Sequence, residues 1–537
     1  MLSNAIKLNQ NKRSLIHPKS KNQITLIIDR KSKSILLLGG RLMKTTKKML
    51  AALCALTFCV GAASCGNTSS SSSKAAGDST SSTGAEEVTT TVAAKEMAES
   101  QKEQVASIAE KLDDTKLENQ TVKFLSHWKI NPQDNNVVPP DIQMFRDKYD
   151  GKFEDISTTW ENRYTDLASR VMANEAPDMF SAMDMDGFPQ GAIKSMFQPV
   201  DDYIDLDSDL WKPAKPTNDA FVYEGKHYVA AIESQPDIVC IYNKKVVEEK
   251  GYEDPAELYY KDEWTWSKFS EMCLDFADYE NEIAALDGWW YAKGLGHTCG
   301  LPLIGMKDGQ IVNNMSDPAV AKIQEKMYDL QKNKVCFDLA ANNWQVRGNT
   351  YGQGVGSGET LFFPCGMWAI EAKPEDVKPY GDVEAGEVMF CPMPRMDEND
   401  KYYVTARDNG YFLCAGAQNP KGWAAYQNCR MLAKTDAADI TEQQLKEDYK
   451  WNDDMIKMRR DIYALANENP VYEFSGGVSQ ELSDAMNNVS QSTVHTSDPK
   501  SWTQTVEENK NAVDELIRRA NENLDEKKDE KKEEKKD

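Results

Sequence analysis

The sequence predicts an α/β fold built as two lobes. Three observations carry that expectation. Short β-rich runs alternate with helical apolar periodicities from residue 121 to residue 524. That span is longer than one ordinary core needs and long enough for two. Of the 537 residues, 40% are hydrophobic and 28% charged, the composition of a globular chain rather than a disordered or membrane-embedded one.

The elements follow in chain order. Residues 1–42 are basic, and their apolar pieces (Ile24–Ile28, Ile35–Leu38) are too short to span a membrane. Met43-Lys44 reads as a natural start, so 1–42 read as an upstream extension from a misplaced start codon. Residues 43–64 read as a signal peptide. Lys44, Lys47 and Lys48 form its basic head, Met49–Ala62 its apolar run, and Ala62-Ala63-Ser64 a small-residue step before Cys65. This step resembles a bacterial lipoprotein signal, which implies that Cys65 is lipidated and anchors the chain. The pattern prefers leucine where Ala62 stands, and an ordinary secretory signal with a chance cysteine is the plainer alternative. Residues 65–537 carry 51 basic and 85 acidic side chains, a balance of −34. Residues 65–118 then read as anchor, Ser-rich flexible tether and a weakly apolar helical spacer over 95–113.

"TVKFLSHW" (121–128) is the first strand. Ile142, Phe145 and Tyr149, then Tyr164, Leu167, Ala168, Val171 and Met172, fall at helical spacing. "PDMFSAM" (177–183) is extended. "FVYEGKHYVAAI" (221–232) reads as a hairpin turning at Glu224-Gly225, and "IVCIYN" (238–243) as a buried strand. Thr265 is the N-cap of a helix carrying Phe269, Met272, Cys273 and Phe276. Val513, Leu516, Ile517, Ala520 and Leu524 mark a last amphipathic helix, and 525–537 is a solvated tail of Asp, Glu and Lys only.

Charge and composition exclude several classes. A chain of formal charge −23, with no basic stripe after its N-terminus, repels nucleic acid. Five unpaired histidines and the lack of CxxC or HExxH speak against a zinc site, and nothing calls for a metal or cofactor.

"IYNKKVVEEKGYEDP…EWTWSKFSEM" (241–272) resembles a signature of the extracellular solute-binding proteins of ABC transporters, in the branch that serves sugar importers. Tyr242, Asn243, Lys244, Gly251, Thr265, Trp266 and Phe269 occupy its places. "VMANEAPDMFSA" (171–182), "GSGETLFFPCGMWAIE" (356–371) and "GEVMFCPMPR…GYFLCAGAQNPKGWAAYQNCRMLA" (386–433) are similar to three more of the family's segments, in the family's order. The resemblance implies a periplasmic-binding-protein-like clamp of type II over 119–524. Its lobe 1 would span about 120–233 plus 390–435, and its lobe 2 about 239–385 plus the C-terminal helices. It implies no enzymatic activity, a carbohydrate ligand held between hinged lobes, a permease partner in the membrane, and a monomer on the outer face of the cytoplasmic membrane.

Sugar recognition asks for flat aromatic faces for C–H surfaces and planar polar groups for hydroxyl rims. In an open α/β sheet such groups belong just past the carboxyl ends of strands. Candidates there are Trp128, Trp160, Asp184, Asp186 and Trp368; Arg407, Asp408 and Asn409 precede "GYFL", and Trp289, Trp290 and Trp344 lie in irregular segments. Glu233, at the first crossover, is either a ligand group or a hinge-surface carboxylate. Asp184 and Asp186 are alternatively turn residues before Gly187, and Arg407 and Asp408 a surface pair. Trp264, Trp266, Trp423 and Trp502 are assigned to packing. "GQGVGSG" (352–358) lacks the Gly-Lys-Ser/Thr of a phosphate loop and reads as a flexible loop beside the cleft. The eight cysteines beyond Cys65 are expected mostly as buried free thiols. The rival classes are a secreted glycoside hydrolase, which needs a cleft carboxylate pair, and a tethered surface adhesin.

Overall fold

The computed structural model describes residues 93–133 and 136–534, with side chains to residue 524. The upstream extension, the signal peptide, Cys65 and the tether up to residue 92 lie outside the described residues. Among the described residues, no helix is long and apolar enough to cross a membrane.

In chain order the strands are β1 (Thr121–Ser126), β2 (Lys152–Ser157), β3 (Met179–Ser181), β4 (Phe197–Gln198), β5 (Val222–Tyr223), β6 (Lys226–His227), β7 (Val229–Pro236), β8 (Val239–Asn243), β9 (Ala284–Leu286), β10 (Ile304–Lys307), β11 (Gln310–Asn313), β12 (Thr360–Cys365), β13 (Val388–Cys391), β14 (Val404–Cys414) and β15 (Pro470–Val471). They build the two-lobed α/β clamp. The lobe 1 sheet runs β15-β14-β3-β1-β2, with β4 and β7 also on β14. In it β1, β2 and β3 are parallel, and β14 is antiparallel to β3 and β7. The lobe 2 sheet runs β13-β8-β12-β9, with β9 parallel to β12. Its strands β8, β12 and β13 are buried at every position. Near-continuous apolar runs such as Val-Cys-Ile-Tyr are what a sheet covered on both faces requires.

Local signals produced the expected elements. Thr265 caps the helix Trp266–Phe276 by accepting from the Lys268 amide, and that helix buries Trp266, Phe269, Met272, Cys273 and Phe276. The β5–β6 hairpin turns at Glu224-Gly225, both at positive φ (51° and 72°). A two-residue turn needs that conformation to match the strand twist. Trp264, Trp266, Trp423 and Trp502 are all buried. The eight cysteines from Cys240 to Cys429 are free thiols.

The lobes are joined by chain that runs straight through. β7 leaves the lobe 1 sheet and Asp237-Ile238 leads at once into β8. The return passes from β13 to β14, and β7 and β14 pair along 229–236 and 406–412, with a bulge between Asp408 and Gly410.

Four expectations change. The helix Glu99–Ala109 is no spacer: Met97, Val105, Ala109 and Leu112 are buried in the lobe 1 core against helices Pro140–Tyr149 and Pro420–Asp436. Burial of Met97, Val105 and Leu112 stabilises by about 1.5–3 kcal/mol each, so a few apolar residues on a polar helix suffice. Residues 390–391 close β13 in the lobe 2 sheet, so lobe 1 resumes after them. The C-terminal helices divide. Helix Asp453–Glu468 packs in the lobe 2 core through Met455, Ile456, Met458 and Ile462. Helices Gln480–Thr493 and Trp502–Glu534 instead bury Leu482, Val489, Val513 and Ile517 in a third core with Phe180 and Phe412 of lobe 1 and the β10–β11 hairpin. Finally, 352–358 is not a loose loop; Gln353–Ser357 forms a helical turn packed on β12.

Candidate functional site

Past the carboxyl ends of strands in both sheets the side chains are aromatic or ionisable. In lobe 1, β1 ends before Trp128, β2 before Trp160 and β3 before Asp184. Because the three strands are parallel, these residues share one sheet edge. Trp160 is 46% exposed and Trp128 36%. The Arg163 guanidinium lies 3.5 Å from the Trp160 ring centroid, and His127 meets the same indole edge-on. Arg163 is in turn held by Asp186, which also accepts from the Tyr164 hydroxyl. Asp186 is therefore engaged inside the protein. It fixes the cation on which Trp160 rests, which is a positioning task rather than an open ligand group.

In lobe 2, β9 ends before Trp289 and Trp290, and β12 before Trp368. Trp290 contacts Trp289, Trp368 and Tyr351 at ring-centroid distances of 5.4, 5.9 and 6.1 Å. Tyr351 also meets Trp289 and Trp368. Four rings thus make one wall whose edge-to-face contacts each contribute about 0.5–1.5 kcal/mol beyond area burial. Gly366 permits its shape, since a Cβ there would sit 2.3 Å from Trp368 Nε1. Trp344 stands beside this wall: its carbonyl accepts from Trp289 Nε1 at 2.9 Å.

The crossing strands supply the polar floor. Lys293 pairs with Asp237 at 2.7 Å, and Arg407 reaches the same carboxylate at 4.0 Å. With its amide turned to accept, Gln235 also takes two bonds from Arg407, at 2.6 and 3.0 Å. Burial alone would raise the Asp237 carboxyl; Lys293 and Arg407 outweigh it and hold that carboxyl below the ordinary range. Asp184 behaves oppositely. Burial, then the neighbouring Asp186 charge, push it up to about 6, against the pull of Arg163 and Arg407. That mutual influence of Asp184, Arg407 and Asp237 places the lobe 1 edge and the crossing strands in one electrostatic field.

Three candidates belong to the hinge itself. Asp408 is fully buried, and no hydrogen bond of good geometry reaches either carboxylate oxygen. Burial lifts it to about 7, with Arg407 and the Gly410 amide offsetting only part. It is thus no surface partner of Arg407. Glu233 is buried rather than on the hinge surface; it accepts from Asn409 at 3.2 Å and faces Lys434 at 3.7 Å. Asn409 also accepts from Arg430 at 2.7 Å. This network ties β7 to β14 and to helix Pro420–Asp436.

The structure therefore gathers Trp128, Trp160, Asp184, Trp289, Trp290 and Trp368 past strand ends, sets Arg407 within β14 on the floor, and assigns Asp186, Glu233, Asp408 and Asn409 internal partners or burial. Sequence reasoning missed His127, Arg163, Asp237, Lys293 and Tyr351. Only Asp237 carried a signal, its place between two successive strands.

The sequence profile of a family described as bacterial extracellular solute-binding protein matches residues 142–443, more than half of the chain. No curated protein matches the chain. Among solved structures, the chain is similar to an ABC substrate-binding protein from Listeria monocytogenes in complex with cycloalternan, at 15% identity and a TM-score of 0.52, over 74% of this chain and 98% of that one. It is similar to an ABC transporter solute-binding protein from Thermotoga lettingae bound with α-D-tagatose, at 14% identity and 0.53, over 74% and 100%. It is likewise similar to a cyclic α-maltosyl-1,6-maltose binding protein from Arthrobacter globiformis, at 12% identity and 0.53, over 74% and 98%.

Proposed function

The chain belongs to the bacterial extracellular solute-binding proteins, and from that premise we propose that it captures a carbohydrate, an oligosaccharide, between its lobes. It then delivers the sugar to an ABC permease. The observation that carries this reading is the pair of aromatic walls, Trp160 with Trp128 on one lobe and Trp289, Trp290, Tyr351 and Trp368 on the other. They stand past strand ends of the two sheets, beside the Arg407–Asp237–Lys293 floor. Indole faces stack on pyranose C–H surfaces, while the floor offers donors and an ionised acceptor to hydroxyls. The similar proteins with cycloalternan, tagatose and cyclic maltosyl-maltose in their names support the same ligand class.

Closure follows from linkage. A sugar that touches both walls binds the closed clamp better than the open one and shifts the population accordingly. In this reading the protein is a monomer without catalytic groups, held on the outer face of the cytoplasmic membrane through lipid on Cys65. A single acyl chain binds only marginally, so two chains are needed for stable anchoring, and the tether raises the local concentration at the permease.

The test is an array of di- to hexasaccharides of several linkages, followed by calorimetry and analysis of the recovered sugar. We expect binding with the sugar recovered intact. Hydrolysed product would replace the reading with a glycoside hydrolase, and binding only to peptides or ions would end the carbohydrate assignment.

A further inference from the structure

A cavity of about 270 Å³ opens beside the lobe 2 wall, between helix Tyr291–Gly296 and helix Gln480–Thr493. Two of its residues, Trp289 and Trp290, are also rings of the four-membered wall, and a third, Lys293, is the partner of Asp237 on the floor. The cavity therefore shares three side chains with the wall and floor of the interlobe site. Its remaining lining comes from the C-terminal region, notably Glu473, Met486, Asn487 and Ser490. The same region reaches the lobe 1 platform: a Cβ on Gly476 would lie 3.3 Å from the Asp186 Cβ. Segment 473–490 thus meets the lobe 1 platform at Asp186 and lines the cavity beside the lobe 2 wall.

The chemistry of the lining narrows what enters. Lys293 already has its counter-charge in Asp237. Glu473 accepts from the backbone amides of Leu303, Ile304 and Ser475 at 3.0–3.2 Å, which compensate its charge and fix its position. Buried His297 carries an Nδ1 without a hydrogen-bond partner. Neither an uncompensated cation nor an uncompensated anion faces the space, so it favours a neutral group. Indole, Leu301, Leu303, Met486 and Val489 offer apolar surface, while Asn487 and Ser490 offer exchangeable hydrogen bonds. A neutral polyol ring with apolar faces fits that mixture. Ligand pockets for drug-sized molecules run from about 300 to 1,000 Å³, so this one has room for a single ring.

We propose that this cavity is a subsite for one terminal pyranose unit, which makes the protein selective for the length of its oligosaccharide. The proposal rests on the carbohydrate reading above. The test uses the full chain on an array of di- to hexasaccharides, comparing each bound glycan with its fragment one residue shorter. Wild type should prefer the longer member by about tenfold, the scale of 1.4 kcal/mol. Ser490→Trp, at a partly exposed helix position, fills the cavity; the preference should fall to about onefold, with affinity for the shorter fragment held within about twofold. Asn487→Ala, at an exposed position that folding tolerates, should reduce the preference about threefold. A wild type that binds sugars without length preference, or variants that keep it, overturns the subsite alone. A wild type that binds no glycan overturns the interlobe reading and the subsite with it.

Discussion

The two walls of the cleft are built by different physics. On lobe 2, four rings from three separate segments support one another by edge-to-face packing. On lobe 1, Trp160 stands on a charged column, with Arg163 beneath the ring and Asp186 beneath Arg163. Aromatic packing is indifferent to salt and pH. A cation–π contact over a buried ion pair depends on charge, and on both members being present. The contrast teaches that a flat sugar-sized platform can be held by apolar contact or by electrostatics, and that the second is easier to break.

The largest effect is expected at that column. Arg163 is 6% exposed, and Arg163→Ala leaves Asp186 with the Tyr164 hydroxyl but no counter-charge, so stability should fall by about 3 kcal/mol, read by urea unfolding. Arg163→Lys should rescue little of it, because Tyr164 and Asp186 meet a planar guanidinium. Full rescue by lysine would mean that charge alone matters. Next comes Trp290→Ala, which removes the ring that touches three others. Affinity for a glycan found on the array should drop by about 2–4 kcal/mol, a hot-spot loss, against about 1 kcal/mol for Trp160→Ala at the more exposed platform. Equal losses would erase the contrast between the walls.

Between the walls, Asp408 sharpens the comparison through pH. Its folded pKa of about 7 lies above the unfolded carboxylate value. Its contribution is therefore fully present below about pH 4 and is lost as pH rises through 7. At pH 8 the buried charge works against folding, and Asp408→Asn should stabilise by about 2 kcal/mol there and by nothing near pH 4. The difference in melting temperature between wild type and variant across that range reads this directly. A pH-independent difference would place a hydrogen bond, not a titration, at Asp408.

How much was legible depended on how local the cause was. The Thr265 cap, the Glu224-Gly225 turn and the buried run of β8 are decided within a few residues, and they stand where the sequence placed them. Trp290, Tyr351 and Trp368 come from separate segments, so no spacing rule announces their contact. Asp186 was singled out for its position after a strand, yet its partner Arg163 lies 23 residues upstream and takes the carboxylate inward. The glycines of 352–358 suggested mobility, but packing on β12 orders them. The weak apolar face of Glu99–Ala109 suggested a spacer, because its worth depends on the helices that receive it.

By itself, then, the sequence determined the α/β class, the family and the strand ends where aromatic residues gather, because hydrophobic period, capping and turn chemistry act at short range. Tertiary structure alone decided which carboxylates are engaged, which rings meet, and that the C-terminal helices divide between two cores. Those outcomes depend on long-range packing and burial, which bring together side chains far apart in the chain.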